Sequence, residues 1–115
     1  MHEDDFEREV IGGVVIEKIN MTRATVREAQ KFKERLLDVS LRGSNRIIVD
    51  FSKCTYVDSS MIGAMVILLK RISEKGGELR VVIPEMEAFQ VFTVTGLYRV
   101  FNLYKSVDEA LKDFD

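Results

Sequence analysis

Apolar and polar positions follow three rhythms along this chain, and each rhythm predicts a different element. Phe6 to Ile11 and Val14 to Ile19 are extended-looking runs split by Gly12-Gly13, a pair that readily supplies positive φ, so they predict an antiparallel hairpin. From Val26 the rhythm becomes helical: Val26, Ala29, Phe32, Leu36 and Leu37 recur among charged residues, and Thr25-Val26-Arg27-Glu28 has the spacing of a capping box. A surface helix with one buried face is expected there. Arg46 to Phe51 has the β-branched density of a buried strand, while Met61 to Leu69 is apolar at every position except Gly63. So continuous a run predicts a helix covered by the sheet and neighbouring helices. Lys70 to Lys75 then turns polar and Gly76-Gly77 stops the helix ahead of a strand at Leu79 to Ile83.

Beyond that strand, Pro84 suits the first turn of a third helix containing Phe89 and Phe92, and Gly96 suits its end. Val100 to Leu103 predicts a last short strand, and Ser106-Val107-Asp108-Glu109 has capping-box form before a closing helix. Alternating strands and helices require crossovers, which make a mostly parallel sheet apart from the N-terminal hairpin. The expected fold is α/β, one domain over residues 1–115, with a mixed sheet of four to five strands and about four helices. No internal repeat or linker divides it.

Composition narrows the function classes. The chain has 115 residues, 46% of them apolar, which is enough for one core without staples. Its 17 basic and 19 acidic residues are mixed along the sequence, so no basic stripe exists to neutralise a nucleic-acid backbone. Cys54 is the single cysteine, which rules out an intrachain disulfide and a cysteine-based zinc site; it reads as a small core residue. Met1-His2-Glu3-Asp4-Asp5 is acidic where a secretion signal is basic, and no apolar run approaches the roughly 20 residues that span a bilayer, so a cytoplasmic location away from membranes is expected.

The chemistry-bearing stretch is Val57-Asp58-Ser59-Ser60-Met61-Ile62-Gly63, which sets paired hydroxyls between a β-like run and the apolar helix. A hydroxyl there has two uses. It can cap the helix by accepting a hydrogen bond from a free first-turn N–H, or it can carry a phosphate, whose charge the positive end of the helix accommodates. The residues alone leave both open. Catalysis finds little support: His2 is the one histidine and lies in the terminal segment, so Ser59 lacks the usual general base. Asp50 reads as a strand-end carboxylate, Thr93 and Thr95 as turn and cap residues, and neither glycine pair has a phosphate-loop pattern. No enzyme activity, cofactor or metal is expected.

Asp58-Ser59-Ser60-Met61-Ile62-Gly63, Gly76-Gly77-Glu78-Leu79 and Phe92-Thr93-Val94-Thr95-Gly96-Leu97, at these spacings, resemble the STAS domains of bacterial anti-sigma factor antagonists. In that family the first hydroxyl residue after the Asp is the phosphoacceptor, which carries over to Ser59. The resemblance implies a protein that, unphosphorylated, binds an anti-sigma factor and releases a sigma factor. The anti-sigma factor is itself the serine kinase, and a separate phosphatase resets the phosphorylated site. The partner surface so implied comprises Asp58, Ser59, Ser60, Met61, Ile62 and Thr25. Two positions depart from the pattern: Met61 stands where Gly is usual, replacing an open backbone approach with a flexible side chain, and Thr22-Arg23-Ala24-Thr25 occupies a turn usually written Gly, acidic, aliphatic, Asp. The competing reading is an interaction or ligand-sensing module of the same fold, within a larger complex, in which the Asp58-Ser59 site is only structural.

Overall fold

A computed structural model describes residues 5–83, 86–112 and 114. The hairpin forms as expected: β1 (Phe6–Ile11) pairs antiparallel with β2 (Val14–Ile19), in a register that sets Ile11 opposite Val14. Gly12 and Gly13 turn the chain at φ 57° and 81°. A two-residue strand, β3 (Arg23–Ala24), leads into α1 (Val26–Leu41), and β4 (Arg46–Asp50) follows. Another two-residue strand, β5 (Tyr56–Val57), precedes α2 (Ser59–Glu74) and β6 (Glu78–Val82). The chain closes with α3 (Met86–Thr95), a short 3-10 turn, β7 (Asn102–Tyr104) and α4 (Val107–Leu111). Pro84 and the Phe89 side chain lie outside the described residues, as does His2.

The main sheet has five strands in the order β1-β2-β4-β6-β7, parallel everywhere except the hairpin, and β3 pairs with β5 in a separate parallel ribbon. Side-chain alternation along β2 and β4 divides the core into two layers. Val15, Ile19, Ile47 and Val49 face the larger layer, which holds Phe32 and Leu36 of α1 and Met61, Met65, Leu68 and Ile72 of α2. Val14, Ile16, Ile48 and Val82 face the smaller layer, closed by Ala110 of α4. Burying a ring such as Phe32, fully inaccessible here, stabilises the fold by roughly 1.5–3 kcal/mol. The long apolar run of α2 is thus mainly core, although Ile67 remains 48% exposed.

Two residues assigned by helical period to the buried face of α1 are not on it. Val26 is 66% and Leu37 41% exposed, because the buried stripe is only as wide as Ala29, Phe32, Leu36, Val39 and Ser40. Glu17 carries the opposite surprise, being fully buried on the α1 side of β2. It accepts from Arg8 Nε at 2.9 Å and from Arg35 Nε, and Arg8 Nη1 reaches Asp38 at 2.7 Å. A buried carboxylate this well paired avoids the desolvation cost of a lone charge. On the other side of the sheet, Arg80 Nη1 donates to the carbonyls of Ala110 at 2.8 Å and Lys112 at 2.7 Å, fastening the end of α4.

Candidate functional site

The parallel strands deliver their loops to one edge of the sheet, where open α/β sheets carry ligands. There the ribbon of β3 and β5 brings two helix N-termini side by side: Ala24 pairs with Val57, and the Asp58 N–H donates to the Ala24 carbonyl at 3.0 Å. α1 is capped by Thr25, whose hydroxyl oxygen accepts from the Arg27 N–H at 3.3 Å while Glu28 accepts from the Thr25 N–H at 2.9 Å. The capping box read from the sequence is present.

Asp58 caps α2, with extended backbone at φ −96° and ψ 177°. Its Oδ1 accepts from the Ser60 N–H at 3.0 Å and the Met61 N–H at 3.3 Å. Its Oδ2 accepts from the Val26 N–H at 2.9 Å, the first residue of α1. One carboxylate therefore satisfies orphan donors of two helices whose starts are far apart in sequence, a role that sequence reasoning missed. Local spacing signals only the α2 half of it; no pattern along the chain points from Asp58 to Val26.

This arrangement separates the hydroxyls. Ser59 is exposed, and its side chain makes no hydrogen bond among the described residues, so the cap is Asp58 and not Ser59. Ser60 is half-buried, and Thr25 spends its hydroxyl on Glu28 at 3.1 Å. The expectation that first-turn N–H groups would accommodate a phosphate on Ser59 needs correction. Those of Ser60 and Met61 are already held by the Asp58 carboxylate, and that of Ile62 by the Asp58 carbonyl at 3.2 Å. The Ser60, Met61 and Ile62 N–H groups are therefore not free donors for a group on Ser59.

Met61 and Ile62, expected at the partner surface, are 0% and 4% exposed and present no side-chain surface to a partner. Both point into the core beneath the site. The Met61 side chain therefore does not stand where an open backbone approach would be. Asp50 is buried and accepts from the Ser52 N–H at 2.8 Å, a turn-making role. Among the described residues no group of three or more His, Cys, Asp or Glu is placed to hold a metal ion. Cys54 is buried, and its thiol is pushed up to about 12 by burial, with the Asp50 charge adding. It is a packed thiol and not a nucleophile. No helix of the described residues is long and apolar enough to cross a membrane.

Residues 6–110 match the STAS domain family. This chain is a STAS domain protein. A candidate anti-sigma factor antagonist from Thermotoga maritima is 30% identical over 109 residues, covering 94% of this chain and 96% of the relative. A crystal structure of a candidate anti-sigma factor antagonist from Thermotoga maritima superposes on the STAS fold described here with a TM-score of 0.85 at 28% identity, covering 95% of this chain and 93% of that one. The Bacillus cell fate determinant SpoIIAA in its phosphorylated form shares the fold at a TM-score of 0.71 and 18% identity, over 92% of this chain and 96% of that one. The single domain, the mixed five-stranded sheet and the four helices of this STAS protein are those of the SpoIIAA-like structures.

Proposed function

We propose that this STAS protein is an anti-sigma factor antagonist whose unphosphorylated form binds an anti-sigma factor with serine kinase activity, freeing a sigma factor, and that phosphorylation of Ser59 switches it off. The observation carrying this reading is the division of labour at the start of α2. Asp58 does the capping, which leaves the adjacent Ser59 hydroxyl exposed and unbonded, as a phosphoacceptor must be. Similarity to proteins named as antagonists supports the partner class. The protein is a substrate and ligand, not an enzyme. A kinase partner brings ATP, and a phosphatase removes the phosphate.

The fold tolerates the phosphate better than the complex does, because Ser59 lies outside the core while the added charge of roughly −1.5 to −2 sits on the binding face. A loss of about 3 kcal/mol in binding weakens affinity more than roughly 100-fold, enough for a switch. The test is incubation with candidate serine-kinase anti-sigma factors and ATP, followed by phosphosite mapping. Phosphate on Ser59, abolished in Ser59→Ala, is the expected result. Phosphate on Ser60 alone refutes the site. Tight binding of a partner with no phosphorylation at all favours the interaction-module reading, in which the site is structural.

A further inference from the structure

We propose that α4 is a releasable strap: the stretch from Val107 to Lys112 swings as a unit at Lys105-Ser106 and uncovers an apolar stripe of the sheet, with Arg80 as its catch. The device goes beyond the switch proposed above, because it lies on the opposite side of the sheet from α1 and α2.

The two sides of the sheet are closed in different ways. Two helices of 16 residues each, α1 and α2, cover one side with a broad set of buried side chains. On the other side Val14, Ile16, Ile48 and Val82 cross β2, β4 and β6, each 3% exposed or less, beneath a helix of 5 residues that buries Ala110 alone. Val107, Leu111, Tyr104 and Phe114 complete the cover from partly buried positions. A helix this short has no stability of its own, so α4 persists only while both its ends are held. Ser106 holds the first end, its hydroxyl oxygen accepting from the Glu109 N–H at 3.1 Å. The last turn has no basic residue, and the cation comes instead from the sheet: Arg80 Nη1 donates to the carbonyls of Ala110 at 2.8 Å and Lys112 at 2.7 Å.

That catch is built to let go. Arg80 is 7% exposed and pairs in register with Ile48, so a guanidinium interrupts the stripe where an apolar side chain would have sealed it. Its Nε pairs with Glu78 at 2.7 Å, and its guanidinium lies 4.1 Å from the Phe114 ring centroid and 5.2 Å from that of Tyr104. Burying a cation costs solvation. Opening returns that solvation to Arg80 while α4 gives up little apolar contact, so the open form lies closer to the closed one than it would with an apolar residue at 80. Segments held in this way open below the free energy of global unfolding.

The experiment is native-state hydrogen exchange on the full chain at rising sub-denaturing urea, joined to thiol labelling of Val82→Cys with the native Cys54 as internal reference. The Ala110 and Lys112 amides, bonded to the Ser106 and Glu109 carbonyls, are expected to be protected roughly tenfold less, or weaker still, than those of Phe32 and Leu68, and nearly independently of urea, since a small opening exposes little surface. The introduced thiol should label roughly tenfold faster, or more, than Cys54, which lies in the layer under α1 and α2 and waits for global unfolding. Arg80→Gln, which keeps at most one of the two carbonyl bonds, should speed both readings by roughly tenfold. Where Val82→Cys does not fold, Ile16→Cys on the same stripe takes its place. Ala110 exchanging with the protection and urea slope of Leu68, an introduced thiol labelling no faster than Cys54, as when only the helix end frays, or rates unmoved by Arg80→Gln would each overturn the proposal. Neither reading involves Ser59, so the fate of the strap and that of the phosphorylation switch are decided separately.

Discussion

Replacing Asp58 by alanine should destabilise the domain more than any loss at one helix end explains. The substitution removes the acceptor for the Ser60 and Met61 N–H groups of α2, and loss of an N-cap of this type costs about 0.5–2 kcal/mol. It also strands the Val26 N–H of α1, whose bond to a charged acceptor would be worth more in a dry site but here, half-exposed, is partly replaced by water and contributes about 0.5–1 kcal/mol. The expected total is about 1–3 kcal/mol, or roughly 4–12 °C in Tm for a domain of this size. Ser60→Ala, which removes no hydrogen bond among the described residues, should fall within about 0.5 kcal/mol of the parent. Val26→Pro isolates the second half: it deletes the donor at the first helical position, where proline is tolerated, and the extended backbone of Thr25 (φ −125°, ψ −171°) suits a residue before proline. Urea denaturation followed by circular dichroism on the four combinations of Asp58→Ala and Val26→Pro closes a double-mutant cycle, with an expected coupling of about 0.5–1 kcal/mol. Strict additivity, or an Asp58→Ala cost no larger than that of Ser60→Ala, would refute the two-helix role.

Two glycines should respond in opposite directions. A Cβ on Gly77 would meet the Asn45 carbonyl oxygen at 2.5 Å, so Gly77→Ala should cost about 1–3 kcal/mol, whereas nothing lies within 4 Å of a Cβ on Gly63 and Gly63→Ala should stabilise α2 by about 0.5–1 kcal/mol, both read from denaturation midpoints. The hydrogen bond from Arg8, aided by Arg42, holds the Asp38 carboxyl below its ordinary 3.8. A lowered folded pKa gives stability that is present above the unfolded value and lost as pH falls through the folded one, so Asp38→Asn should flatten the acid limb of the stability profile below about pH 4; an unchanged limb would count against the pairing. The Cys54 thiol, raised from 9.0 to about 12 mainly by burial, should label with a thiol reagent at pH 8 only as fast as the domain opens. Labelling at the rate of a free thiol would show that the site is not closed.

The sequence told most where the signal is local. Gly12-Gly13, the Thr25–Glu28 box and Gly76 each act within a few residues, and each element they bound lies where the pattern predicts it. The closing strand was expected at Val100 to Leu103 and is Asn102–Tyr104, a shift that reflects how little a three-residue edge strand constrains its own ends. β3 and β5 escaped notice because two residues carry no period; only their pairing with each other, across some thirty residues, makes them strands. Val26 and Leu37 were placed in the core because periodicity fixes a direction around a helix but not the width of the buried stripe. Glu17 was invisible for the converse reason: a charged residue in a strand reads as solvent-facing until Arg8 and Arg35 arrive from other elements to pair it. At the candidate site, the Asp-Ser-Ser spacing located the start of α2. It could not reveal that Met61 and Ile62 point inward, since that depends on which face of α2 meets the sheet.

Because one Asp58 carboxylate joins the starts of α1 and α2, positions 58 and 59 should drift independently as sequences of this kind diverge. Under the switch proposed above, a descendant that is not phosphorylated has no use for a hydroxyl at 59, yet the acid at 58 still holds the first turns of both helices. An Asp at this position, met in a sequence with no serine or threonine after it, would then be the mark of an inherited scaffold and not of a surviving switch.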